Sequence, residues 1–203
     1  MKCSFILLTI LLIHSSLFAG RYMKAKIILL NGTVLEGMAT FPEGPASIPI
    51  RFKADNKSHT QSINSDSIKT ISYIADNGNT NEFDRLIAYV NGPDEKPERQ
   101  WLHVVFRGVV TLYTYGSVDA DLRNVGRYDD IQTSWLCIRQ GEGAATKMTS
   151  TYWKNKKNFF VLSATTYFKD DNELVKKIQA GEFTWKDVEK IVNEYNGWKK
   201  NNQ

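Results

Sequence analysis

Histidine and cysteine are the first side chains to consider for acid–base or nucleophilic chemistry, and outside the first twenty residues there are three of them: His59, His103 and Cys137. Histidine exchanges a proton near neutral pH, and a thiolate attacks electrophiles. His59 follows a predicted turn and is expected to be exposed. His103 lies in a predicted strand, where packing against Tyr113 or Tyr115 would explain it. Cys137 lies in an apolar strand and is expected to be a buried, inert thiol, so we predict no catalytic residue.

Carboxylates are the next candidates, because residues 117–132 form a polar, Asp-rich segment that we interpret as a surface loop. It contains Asp119, Asp121, Asp129 and Asp130. Carboxylate oxygens suit calcium, but a calcium loop needs alternate oxygens and a late bidentate Glu, and only Asp119 and Asp121 alternate. We therefore predict no metal site. Two of these carboxylates could still act as an acid and base pair in glycoside hydrolysis, which depends on their separation.

Residues for binding are easier to propose than residues for catalysis. In the predicted strand 100–107, Trp101 and His103 fall on one face, because side chains alternate along a strand. An aromatic ring beside polar groups can hold a ligand through its apolar face. We predict ligand binding by Trp101 and His103 together with Asp119, Asp121, Asp129 and Asp130, without a cofactor.

The first twenty residues indicate the location of the protein. Lys2, the apolar run 5–13 and the small-residue segment 15–20 are typical of a cleavable export signal. The run is about half of the ~20 residues that cross a bilayer, so no stable membrane anchor is expected. Cleavage near Ala19 or Gly20 would place the mature chain in the periplasm or outside the cell.

Charge and cysteine content limit the partners and the means of stabilisation. Without Lys2 the mature chain has 25 basic and 22 acidic residues, a formal charge of +3. No Lys/Arg stripe is interleaved with exposed aromatics, which argues against a nucleic-acid partner. Cys137 alone cannot form an internal disulfide, so stability must come from the core.

The N-terminal part of the mature chain, residues 21–76, is predicted to be a small β domain. Strands are expected at residues 24–30, 33–39, 48–53, 59–63 and 68–74. Asn31-Gly32 is a strong hairpin signal, because both residues tolerate the positive φ of a type I′ turn. Short strands without helices suggest a curled sheet or a barrel. The pattern Asn-Gly-x-x-x-x-Gly resembles the entry of SH3-like and Sm-like barrels, although any tightly curved sheet explains it.

Residues 80–203 are predicted to form a second antiparallel sheet capped by C-terminal helices, which makes the chain α+β. Strands are expected at residues 86–90, 100–107, 110–115, 133–139 and 144–149. In the second of these, Leu102, Val104 and Phe106 are expected to share a face. Alternatively, Asn77-Gly78 is a hairpin turn within one continuous sheet, in which case there is no division at 76–80.

The last fifty residues change to a helical period. Phe160, Ala164, Tyr167 and Phe168 mark one helical face, and Gly181 is expected to end a second helix. A third helix is predicted to begin at Thr184, as the N-cap of a capping pattern with Asp187. Its apolar stripe is expected to pack on the sheet.

Three stretches of the mature chain resemble one family. They are residues 25–37 (AKIILLNGTVLEG), residues 106–113 (FRGVVTLY), and residues 167–174 (YFKDDNEL) with Ile178, Gly181, Phe183 and residues 191–198 (IVNEYNGW). They are similar to uncharacterised exported proteins of Bacteroidota. The resemblance implies a location outside the cytoplasm and names no activity.

Two functions from different classes follow. The favoured one is a non-catalytic envelope protein that binds a protein or a glycan. The alternative is an envelope or secreted glycan hydrolase using a carboxylate pair from residues 117–132. A cleft that held two of these carboxylates beside exposed aromatics would favour the hydrolase, and scattered carboxylates on a convex surface would exclude it.

Overall fold

The computed structural model describes residues 22–42, 48–90, 96–116, 133–151 and 155–202. Within these ranges the chain forms ten strands followed by three α-helices. The strands are β1 Tyr22–Leu29, β2 Val34–Thr40, β3 Ile50–Lys53, β4 Gln61–Ile63, β5 Ile68–Ile74, β6 Thr80–Ala88, β7 Glu98–Phe106, β8 Val110–Gly116, β9 Thr133–Arg139 and β10 Thr146–Ser150. The helices are α1 Lys156–Tyr167, α2 Asn172–Ala180 and α3 Val188–Asn201.

All ten strands belong to one antiparallel sheet with the order β10-β9-β8-β7-β6-β5-β1-β2-β3-β4. Strands β1 to β4 follow one another as neighbours. Strand β5 then returns to the free side of β1, and β5 to β10 again follow one another. The α+β class is therefore confirmed. The predicted N-terminal barrel is not, because β4 and β10 remain the two edges of an open sheet.

Two Asn-Gly turns make hairpins in this sheet, because glycine adopts positive φ without a steric penalty. Gly32 has φ +85° between β1 and β2, where the Leu29 amide donates to the Thr33 carbonyl at 2.9 Å. Gly78 has φ +84° between β5 and β6. The predicted boundary at 76–80 thus coincides with a hairpin of one continuous sheet, and the division into two domains stays a prediction.

Three apolar clusters stabilise the sheet. An N-terminal cluster surrounds Ile27, Ile71 and Phe83, and a cap cluster lies between the sheet and the helices. A third cluster includes Leu102, Tyr113 and Leu136 and lies on the other face of β7, β8 and β9. Burying each large apolar side chain contributes about 1.5–3 kcal/mol.

A β-bulge changes the predicted face of one residue. The register of β7 and β8 shifts between Val104 and Phe106, and Phe106 then lies opposite Leu112. Phe106 therefore packs against the cap cluster, whereas Leu102 and Val104 contact the third cluster. The prediction that all three share a face is wrong, because a bulge inserts one extra residue into the alternation.

The helices follow the predicted order with one shifted boundary. Phe160, Ala164 and Tyr167 are buried on α1, and Gly181 caps α2, both as predicted. Helix α3 begins at Val188 rather than near Thr184. The Thr184 amide and hydroxyl both donate to the Asp187 carboxylate, at 3.1 and 2.7 Å, so the capping pattern forms a turn just before the helix.

Asn196 attaches α3 to the sheet. Its side-chain oxygen accepts from the Val110 amide at 2.7 Å, and its side-chain nitrogen donates to the Val110 carbonyl at 2.9 Å. Gly108 lies directly beneath this amide, and a Cβ at position 108 would overlap it. Among the described residues, no helix has the length and apolar character to span a membrane.

Candidate functional site

The two described residues of the predicted binding site, Trp101 and His103, lie on β7 near the middle of the sheet. The register places His103 opposite Phe83 of β6 and opposite Thr114 of β8. Thr114 in turn lies opposite Trp135 of β9. Directly paired residues share a face, so this face carries the N-terminal cluster at Phe83 and the cap cluster at Trp135. We call Trp101, His103 and Thr114 the central strip.

His103 is a half-buried polar side chain between two apolar clusters. Its Nδ1 lies 3.2 Å from the Thr114 hydroxyl, and its ring lies 5.1 Å from the ring of Phe83. The aromatic partner is therefore Phe83 and not the expected Tyr113 or Tyr115, because the register pairs His103 with Thr114. Burial lowers the pKa of His103, which favours the neutral imidazole at neutral pH.

Trp101 lies two residues away on the same face and is only partly buried against the N-terminal cluster. The guanidinium of Arg85, paired with Trp101 in the register, lies 5.7 Å from the indole ring. Arg85 is itself buried and donates to the Asp66 carboxylate at 2.9 Å. Burial lowers the pKa of Arg85, and the Asp66 carboxylate opposes this effect. The indole is thus packed against the N-terminal cluster and Arg85, and part of its surface is open.

A charged network that the sequence did not reveal lies on the opposite face, centred on the buried Asp84. Its Oδ1 accepts from the Thr70 hydroxyl at 2.7 Å and from Arg107 at 3.0 Å. Its Oδ2 accepts from Arg107 at 2.9 Å and from the Tyr113 hydroxyl at 2.7 Å. Arg107 also pairs with Glu82.

The pKa of Asp84 shows that this network stabilises its charged form. Burial by itself would raise the pKa, but the hydrogen bonds from Arg107, Thr70 and Tyr113 outweigh burial and lower it. Four hydrogen bonds use both carboxylate oxygens. Such a carboxylate is a structural group, because its lone pairs are already engaged.

A second network joins the sheet to the helices around Arg139 of β9. The guanidinium donates to the Tyr167 carbonyl at 2.6 Å, to Asp170 at 3.0 Å and to the Tyr195 hydroxyl at 3.1 Å. Asp170 also accepts from Tyr195 and from Lys199. These contacts hold α1 and α3 on β9 and leave the side chains engaged within the protein.

The other candidates of the sequence fall into two groups. Cys137 is fully buried, as predicted, and burial raises the pKa of its thiol. His59 is exposed, as expected. Asp119, Asp121, Asp129 and Asp130 lie outside the described residues, so their predicted roles in binding or hydrolysis stay predictions. Within the described ranges, no group of three or more His, Cys, Asp or Glu side chains could hold a metal ion.

The fold places the chain in the α+β class, with an open antiparallel sheet and a helical cap. Comparison of the chain with protein-family models, with curated proteins and with solved structures finds no match in any of the three.

Proposed function

We propose that the chain is an exported, non-catalytic protein of the bacterial envelope that binds a protein or glycan partner through the central strip. The observation that supports this proposal is the packed, partly open indole of Trp101, with His103 beside it on the same face. Aromatic side chains held in one rotamer lose little conformational entropy on binding and are common anchors in interfaces.

The electrostatics of the described residues also support a binding role. His103 contacts a hydroxyl and an aromatic ring, Asp84 is saturated by four hydrogen bonds, and Arg139 is engaged with the helices. These groups have structural partners. Export is supported by the pattern of residues 1–20, and the resemblance to exported Bacteroidota proteins agrees with it.

Binding through the strip is tested with the mature protein, a Trp101→Ala variant and a matched Trp185→Ala variant. Trp185 is a suitable control because it is also partly buried and flanked by cations, Lys156 at 4.1 Å and Lys186 at 5.5 Å, but lies on the helical cap. We expect saturable binding to solubilised envelope proteins or to a glycan array, lost in Trp101→Ala and kept in Trp185→Ala. Equal binding by both variants would remove the strip from the proposal.

Export is tested separately by fractionating a bacterium that expresses the full chain and sequencing the N-terminus of the product. A mature N-terminus near Gly20 or Arg21 in the periplasm or medium is expected. An uncleaved cytoplasmic product would contradict the proposal.

A further inference from the structure

A second surface lies on the side of β1, β2 and β3 that faces away from the N-terminal cluster. Exposed and buried residues alternate along β1: Lys24 and Lys26 are exposed, and Ala25 and Ile27 are buried. Along β3, Ile50 and Phe52 are buried and Arg51 is exposed. Because side chains alternate across a strand, the exposed basic residues of both strands point to the outer face. We call Lys24, Lys26, Arg51 and Lys53 the basic face.

The register brings these four side chains onto neighbouring strands. Met38 of β2 lies between Lys24 of β1 and Lys53 of β3, since it pairs with both. Lys26 pairs with Glu36, at 3.2 Å between Nζ and Oε1. In the described part of the chain, this is the one ion pair that these basic residues make. The basic face therefore carries four positive charges and one negative charge.

We infer that the basic face binds a linear acidic polysaccharide. The spread of the basic residues over neighbouring strands carries this inference. The Cα atoms of Lys24 and Lys26 are separated by roughly 7 Å along β1, and those of Lys24 and Lys53 by two strand spacings, roughly 10 Å. Cations on positions spread in this way present several separate charges and not one pocket. They match a polymer that repeats its negative charges along its length.

The groups between the cations favour a hydroxyl-rich chain over other polyanions. Tyr22 lies on β1, the strand of Lys24 and Lys26. The Lys53 ammonium lies 4.7 Å from the centre of its ring, and its hydroxyl lies 3.1 Å from the Thr60 hydroxyl. Hydroxyls can exchange hydrogen bonds with sugar hydroxyls. Met38, the residue between Lys24 and Lys53, is partly buried, and the exposed Val34 lies four residues away on the same face of β2. The space between these two cations therefore offers limited apolar surface for a bilayer or for the apolar centre of a protein interface.

This inference is independent of the central strip, which lies on the other face of the sheet. Its test uses the mature protein and polygalacturonate, with fully methyl-esterified polygalacturonate as the uncharged control polymer. The wild type is expected to bind only the charged polymer. Its affinity should fall as salt is raised from about 20 to about 300 mM, because the Debye length then shortens from ~20 to ~6 Å and the charges are screened.

A charge-reversal pair assigns the binding to the basic face. In Lys24→Glu/Lys53→Glu we expect the dissociation constant for polygalacturonate to rise about tenfold or more at low salt, because close charges dominate such association. The control Lys157→Glu/Lys200→Glu changes the net charge equally at two exposed helical positions and should bind like the wild type. Circular dichroism of all variants checks that the fold is kept.

Three results would overturn the inference: no binding of polygalacturonate by the wild type at low salt, equal loss in both double variants, or tighter binding of polyglutamate or phosphatidylglycerol vesicles. The last result would indicate an acidic protein or a membrane surface instead. The proposed function is judged separately, because it depends on Trp101→Ala. Absence of polygalacturonate binding by the wild type, with a Trp101-dependent partner retained, would reject this inference alone.

Discussion

At the scale of single residues, His103 connects two apolar clusters through one half-buried imidazole. Burial lowers its pKa in the folded state, while an unfolded chain has a histidine pKa of about 6.5. The neutral form is therefore favoured by folding. The contribution of the neutral His103 to the free energy of unfolding is complete above about pH 6.5. It is lost as the pH falls through that value towards the pKa of the folded state.

We expect the free energy of unfolding to fall between pH 7.5 and pH 5.5, and this fall to become smaller in His103→Gln. Urea denaturation at several pH values, followed by fluorescence, measures it. His59→Gln is the matched control, because His59 is exposed. If His103→Gln keeps the full pH dependence, the fall in stability comes from other groups, and the prediction for His103 is wrong.

Loss of the Asp84 carboxylate should lower the stability of the fold. In Asp84→Asn the charge that faces Arg107 disappears, and at least one of four donors loses its acceptor. Removing one partner of a buried ion pair costs about 3–5 kcal/mol. Arg107 is half-exposed, so we expect a smaller loss, about 2–3 kcal/mol, in chemical denaturation. The conservative Glu36→Gln at an exposed pair should change stability little.

At the scale of elements, local signals predicted hairpins well and long-range positions poorly. Asn31-Gly32 and Asn77-Gly78 indicate turns because two adjacent residues suffice to define them. Strand β6 was expected at 86–90 and forms at Thr80–Ala88, since its polar first half is stabilised by neighbouring strands. The bulge that turns Phe106 towards the helices has no local signature.

The candidate site shows the same division. Alternation along β7 was enough to place Trp101 and His103 on one face. The network of Asp84 could not be predicted, because Thr70, Arg107 and Tyr113 reach it from other strands or a turn, 14 to 29 positions away in the chain. Asp84 itself lies in the polar first half of β6, outside the strand expected at 86–90, so the sequence did not indicate its burial. The return of β5 to the free side of β1 was equally invisible in the sequence.

The attachment of α3 can be tested with Gly108 and Asn196. Gly108→Ala places a methyl group where the Asn196 amide lies, and Asn196→Ala removes both bonds to Val110. We expect each variant to lose about 1–3 kcal/mol, mainly from the unsatisfied backbone groups. Because both changes disrupt one contact, the double variant should lose clearly less than the sum.

Thermal and urea unfolding of the four proteins in this cycle measure the coupling. Gly143→Ala is the control for adding a methyl group to a glycine of this sheet region, since a Cβ at position 143 would have no other atom within 4 Å. Strict additivity of Gly108→Ala and Asn196→Ala would contradict the contact as the cause.

At the scale of the whole molecule, the strands β1 to β5 share their sheet and their apolar cluster with the strands that follow. The sheet continues across the boundary predicted at 76–80, with five residue pairs joining β5 to β6. The N-terminal cluster also continues across it. Phe83 of β6 lies 5.1 Å from Phe41 and 6.1 Å from Tyr73 between ring centroids, and Trp101 of β7 packs on the same cluster.

We therefore expect the fragment 21–76 not to fold alone, while the longer fragment 21–203 unfolds in one cooperative transition. The fragment would expose a complete edge of β5 and lose the ring that fills one side of its cluster. A chain of fewer than about sixty residues has little burial to spare for such a loss. Circular dichroism and amide exchange of the fragment 21–76 provide the measurement. They are compared with the fluorescence and circular dichroism transitions of the fragment 21–203, which should coincide. A folded fragment with exchange-protected β1 and β5 would establish two domains, and the pairing of β5 with β6 would then be the interface between them.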